Sequence, residues 1–233
     1  IIECSYTSSK DWEGLTQKVH MPEFSQSEID FCNNWLQEQG WEGPSQKLVC
    51  LHVRDSKYLN EYQSSFNWSY HKFRDSEIES YTKSVEWLIS PPQNCFVIRT
   101  GRTVNRELPI KSPSVLDYPY IDKQNDLIDI WLFANSDLVI STQSGPDAIS
   151  SAYKVPTIYV NQLPLADCHS YSKSVYRSKH LYWEKNMEHL TISEYIKEGD
   201  FHHFSNYKDA GIDQTWEFAH PNNKAFTGPL AVS

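Results

Sequence analysis

The stretch Leu48-Val49-Cys50-Leu51-His52-Val53-Arg54-Asp55, continuing through Ser56 to Leu59, decides how the chain is read. Its first six residues are apolar on both faces apart from His52, which suits a central strand of a parallel sheet. A strand that only has to pack normally stops on Gly, Asn or Pro. This one ends in an imidazole, a guanidinium and a carboxylate. In an open α/β sheet, ligands bind beyond the carboxyl ends of the strands, where strand order reverses. Charge at that end is therefore expected to face a site.

Working outward, strands and helices alternate. "SQSEIDFCNNWLQEQG" (25–40) reads as a helix, with Ser25 and Glu28 as a capping box, Ile29, Cys32 and Leu36 on one face, and Gly40 as its stop. "DSEIESYTKSVEWLI" (75–89) carries Ile78, Tyr81, Val85 and Leu88 at helical spacing, with Asp75 or Ser76 expected to cap it. Further strands are expected at 94–100, 114–118, 136–142 and 155–161. Helices are expected at 125–135, with Asp126 near the cap, and over "PDAISSAY". Past residue 162 the pattern blurs, apart from a helix over 191–199 capped by Thr191 and Glu194. Such alternation predicts an α/β fold: a Rossmann-like parallel sheet with helices on both faces. The expected organisation is a linker or docked extension over 1–24, a Rossmann-like nucleotide-sugar-binding domain over 25–215 and an irregular tail over 216–233.

Composition narrows the function. The net charge of −9 argues against a nucleic-acid surface. No apolar run approaches the roughly 18 residues of a membrane span. The chain opens on Ile1 with no signal-peptide pattern, which reads as a processed chain or a fragment. Five cysteines, an odd number without C-x-x-C spacing, fit a reducing cytoplasm. The nine histidines have no metal-ligand spacing, so no metal is expected.

The candidate site residues gather at the strand ends. The first strand delivers Arg54 and Asp55, the second Arg99 and, past a glycine, Arg102. The fourth delivers "STQSGPD", where Ser144 or Gly145 can cap a helix with Pro146 in its first position. The free N–H groups of a helix start favour an anion, and arginine forks suit phosphate oxygens. Together they could hold a pyrophosphate without a metal. Each residue also has a plainer reading. His52 is a hydrogen-bonded core imidazole or a general base. Asp55 is a base or the partner of Arg54. Arg99 and Arg102 are phosphate ligands or ion-pair partners of carboxylates. Asp147 would repel phosphate and is expected to face a sugar or ribose hydroxyl, or to serve only the helix dipole.

The segments "CLHVRDSKYL", "VIRTGR", "DY", "LIDIWLFANSDLVISTQSG" and "VPTIYVN" resemble, in order and spacing, the C-terminal half of a bacterial glycosyltransferase family encoded among genes for surface polysaccharides. The resemblance spans roughly residues 21–215. More distantly, H-x-R at a strand end resembles fucosyltransferases of the two-domain GT-B fold, in which that arginine holds the donor diphosphate. The resemblance implies a metal-independent transferase without a cofactor, moving a sugar from a nucleotide-sugar to a glycan or lipid-linked glycan acceptor. It implies work in the cytoplasm, or peripherally at the inner face of the membrane. The resemblance places Arg54 at the donor phosphates; combined with the reading of the strand ends, Arg99, Arg102, Ser144 and Gly145 are expected there too, Asp147 and Asp126 at the donor sugar or ribose, and Asp55 or His52 as the base. No N-terminal Rossmann-like domain is recognisable in this sequence, and such a domain is expected as a separate partner that binds the acceptor. The alternatives are a non-catalytic sugar-nucleotide or glycan-binding module and a GT-B-fold epimerase.

Overall fold

The computed structural model describes residues 21–62, 74–122, 124–165, 168, 173–198 and 204–213. Residues 1–20, the pair His202–His203 and the tail 216–233 lie outside them. Six strands form one parallel sheet: β1 (Leu48–His52), β2 (Phe96–Thr100), β3 (Val115–Asp117), β4 (Leu138–Ser141), β5 (Thr157–Gln162) and β6 (Ser174–Ser178). Their order across the sheet is β3-β2-β1-β4-β5-β6. This is the doubly wound arrangement of Rossmann-like folds, in which the chain winds one way from β1 and the other way from β4.

Side-chain alternation along β1 sets the two layers. Val49 and Leu51 pack with Val97, Val85 and Leu88, which places helix α3 (Thr82–Ile89) on one face. Leu48 packs with Phe96, Ile98, Cys32, Leu36 and Leu132, so α1 (Gln26–Glu38) and α4 (Asp126–Asn135) cover the other. Every residue of β1 and β2 is buried, as the all-apolar reading of a central strand requires.

Local signals act as their chemistry dictates. Ser25 and Glu28 form the capping box of α1. Gly40 then takes φ +103°, and a Cβ there would meet the Pro113 carbonyl oxygen at 3.1 Å, so the helix ends on glycine. Asn125 caps α4 by accepting from the Leu127 and Ile128 amides, which leaves Asp126 as the first helical residue. Pro22 and Phe24 dock on Tyr153: its hydroxyl donates to the Pro22 carbonyl at 2.7 Å, and the two rings lie 5.8 Å apart.

Some expectations need correction. Neither Asp75 nor Ser76 caps the helix that follows, because both side chains are committed to tertiary partners. That segment begins as a 3-10 turn (Ile78–Tyr81) before α3 proper. Helix α5 (Asp147–Ala152) starts one residue after Pro146. The blurred region holds β6, helices α6 (Ile192–Glu198) and α7 (Phe204–Asp209), and a small antiparallel pair of β7 (Tyr182–Trp183) and β8 (Ile212–Asp213). A short helix α2 (Lys57–Tyr62) also follows β1 directly.

Candidate functional site

Strand order reverses between β1 and β4, so the crevice lies over their carboxyl ends. Thr142 seams it. Its backbone N–H donates to the His52 carbonyl at 3.2 Å, and its buried hydroxyl accepts the Arg54 N–H at 2.8 Å. Arg54 is thereby fixed at the switch point. Its Nε donates to Asp75 Oδ1 at 3.2 Å, and its side chain is 13 % exposed. No acceptor among the described residues takes its two terminal nitrogens, so the outer edge of the fork remains available. Asp75 responds to its surroundings. Burial raises its carboxyl above the usual range, the Arg54 guanidinium pulls it back down, and Asp55 pushes it up. Lys179, buried at the end of β6, donates to the Asp75 carbonyl at 3.4 Å.

Asp55 accepts the Lys57 and Asn105 amides, both at 2.8 Å, and so ties the start of α2 to the loop after β2. His52 points to the α4 face, as alternation from Leu48 and Cys50 requires. Its Nδ1 pairs with Thr100 Oγ1 at 3.0 Å and its ring meets Phe133 edge-on. Burial, reinforced by Arg99 and Arg54, pushes its pKa down to about 4, so the ring is neutral at pH 7 and a weak base.

Arg99 is buried and donates through Nη1 to Asp117 Oδ1 at 3.3 Å and to the Arg106 carbonyl. Arg102 instead pairs with Asp126 and Asp129 at the start of α4. That contact places Asp126 on the protein surface beside a guanidinium. The loop after β4 closes on itself. Asp147 Oδ2 accepts the Ser141 hydroxyl at 2.7 Å and the Ser144 N–H at 2.6 Å, while burial raises its carboxyl. One donor expected to face an anion is thus taken by the protein's own carboxylate. Gly145 is exposed at the tip of this loop, and a Cβ on it would have nothing within 4 Å. Its φ is not in the left-handed region; the bend falls on Gln143, at φ +59°.

The fold therefore brings Arg54, Asp55 and Arg99 to neighbouring strand ends, holds Ser144, Gly145 and Asp147 in one loop, and pairs Arg102 with Asp126 separately. Two features escaped the sequence reading. Asp75, expected as a cap, orients Arg54. A buried network also joins Ser76, Tyr81 and Asn161, with the Asn161 amide donating to the Ser76 hydroxyl at 2.8 Å. Both depend on partners distant in sequence. Among the described residues no three His, Cys, Asp or Glu side chains gather as metal ligands would, and no helix is long and apolar enough to cross a membrane. Comparison with protein-family models, curated proteins and solved structures finds no match for this chain.

Proposed function

We propose that this chain is the donor-binding half of a metal-independent glycosyltransferase that moves a sugar from a nucleotide-sugar to a cell-surface glycan. The observation that carries the reading is the placement of Arg54. A guanidinium at the switch point, oriented through Nε by Asp75 and open at its terminal nitrogens, suits a diphosphate. As the glycosidic bond to the donor breaks, charge develops on the leaving diphosphate. A preorganised cation that needs no reorganisation at that moment is the electrostatic device with the largest expected effect.

The proposal leaves the base outside this set. His52 is neutral and packed, and both carboxylate oxygens of Asp55 accept backbone amides. A base and an acceptor site contributed by a second Rossmann-like domain fit that arrangement. The test is calorimetric titration with UDP, GDP, ADP, CMP and dTDP, followed by Arg54→Ala. Losing a charge-assisted hydrogen bond to phosphate should weaken binding by about 1.5–3 kcal/mol, roughly ten- to a hundredfold. Folding should survive, because Asp75 without its partner can take a proton. Unchanged affinity in the variant would make Arg54 a structural ion-pair residue and overturn the reading. Transfer or slow hydrolysis of the sugar nucleotide separates a transferase from a binding module.

A further inference from the structure

Next to Arg54 lies a cavity of about 170 Å³, and Asp75 forms part of the wall between them. Its other polar walls include Asp55, Glu77, Arg99 and Arg106. Two groups there have unspent hydrogen-bonding capacity. Arg99 is 1 % exposed, yet its Nε–H finds no acceptor. Asp75 gives one carboxylate oxygen to Arg54, while the other accepts no hydrogen bond among the described residues.

We infer that this cavity is the glycosyl subsite, receiving the single sugar ring carried by the diphosphate, and that it takes a neutral or amino sugar and rejects an acidic one. The inference rests on the reading that Arg54 holds a nucleoside diphosphate. Size supports one ring, since a cavity of about 150 Å³ accommodates a molecule such as benzene. A nucleobase seeks an aromatic or broad apolar face, and only Val53 and Ile78 are apolar in this lining. A phosphate would face Asp55, Asp75 and Glu77 together. A sugar hydroxyl can donate to the open oxygen of Asp75, which lines the cavity, whereas Arg99 Nε is too deeply buried to be reached from it. The guanidinium groups do not offer a free counter-charge, because Arg99 is paired with Asp117, and Arg106 with Glu77 and Glu79. A uronate would enter without a counter-ion, which a partly buried site penalises.

The full chain is titrated calorimetrically with UDP, GDP, ADP and dTDP, each alone and as its glucose, N-acetylglucosamine and glucuronate conjugates. At least one neutral conjugate should bind about tenfold tighter than its own diphosphate. The glucuronate conjugate should show no gain. Ser56 lines the cavity and its hydroxyl makes no bond to a described residue, so Ser56→Leu should fill the space and abolish the gain while bare diphosphate still binds. Ser56→Val, a smaller filler, should reduce the gain in part and serves if the leucine variant does not fold. A diphosphate that binds with no gain from any sugar, a larger gain from glucuronate, or a gain that survives Ser56→Leu each overturns the inference and leaves the reading of Arg54 intact. If no diphosphate binds at all, the reading falls and the inference with it.

Discussion

His52 is 8 % exposed and held between Thr100 and Phe133, so its protonation is coupled to folding. Its pKa is about 4 in the folded protein and near 6.5 when unfolded. The unfolded state therefore binds more protons across that interval, and stability falls as pH drops through it. The contribution of the neutral ring is fully present above pH 6.5 and is lost progressively toward pH 4. Its size is on the order of 3 kcal/mol. The raised carboxyls of Asp75, Asp129 and Asp147 act in the opposite sense at the acid end. The difference between the parent and His52→Gln isolates the histidine. Denaturant midpoints measured from pH 7.5 to 4.5 should fall more steeply for the parent; parallel slopes would contradict the burial argument. Arg99 makes a second case. Asp117 accepts from its guanidinium and also from the Leu108 amide at 2.6 Å. Asp117→Ala strands a buried cation, a change that costs about 3–5 kcal/mol. Chemical denaturation of that variant checks it, and a loss below 1 kcal/mol would mean that Arg99 finds another partner.

Among the elements, the loop between β4 and α5 separates folding from binding. Gly145 has open space where a Cβ would stand and a φ outside the left-handed region, so Gly145→Val should leave the melting temperature nearly unchanged. If a diphosphate approaches that tip, the branched side chain blocks it, and affinity should drop by about tenfold or more. Normal affinity would confine the phosphates to Arg54. The same loop shows where sequence reading reaches its limit. Central strands such as β1 and β2 were legible because burial on both faces leaves an uninterrupted apolar run. The capping boxes at Ser25 and at Thr191 were legible because their partners lie three residues away. Edge strand β6, "SVYRS", was not, since its polar composition satisfies no buried-strand pattern. Nor was the role of Asp147, whose carboxylate folds back on Ser144 rather than outward.

For the molecule as a whole, the doubly wound topology could be inferred from the alternation of elements, whereas the partners inside the site could not. Which carboxylate meets Arg54 depends on the path of the chain between β1 and α3, and Asp75 is 21 residues away in sequence. A site built on a guanidinium rather than on acidic metal ligands also makes a prediction about solution conditions. The sequence contains no D-x-D pattern, so EDTA should leave diphosphate affinity unchanged by titration; a strict need for Mg²⁺ or Mn²⁺ would overturn it. The position of β1 has a further consequence, for the order in which the protein is assembled. It is made first among the six strands of this sheet, yet its neighbours are Phe96 onward and Leu138 onward. Closing such distant pairings means ordering long stretches of chain before any contact rewards them, which slows folding relative to proteins built from local contacts. During synthesis the edge of "LVCLHV" that pairs with β4 stays open until the segment through Ser141 has left the ribosome. It is the stretch for which a chaperone would compete.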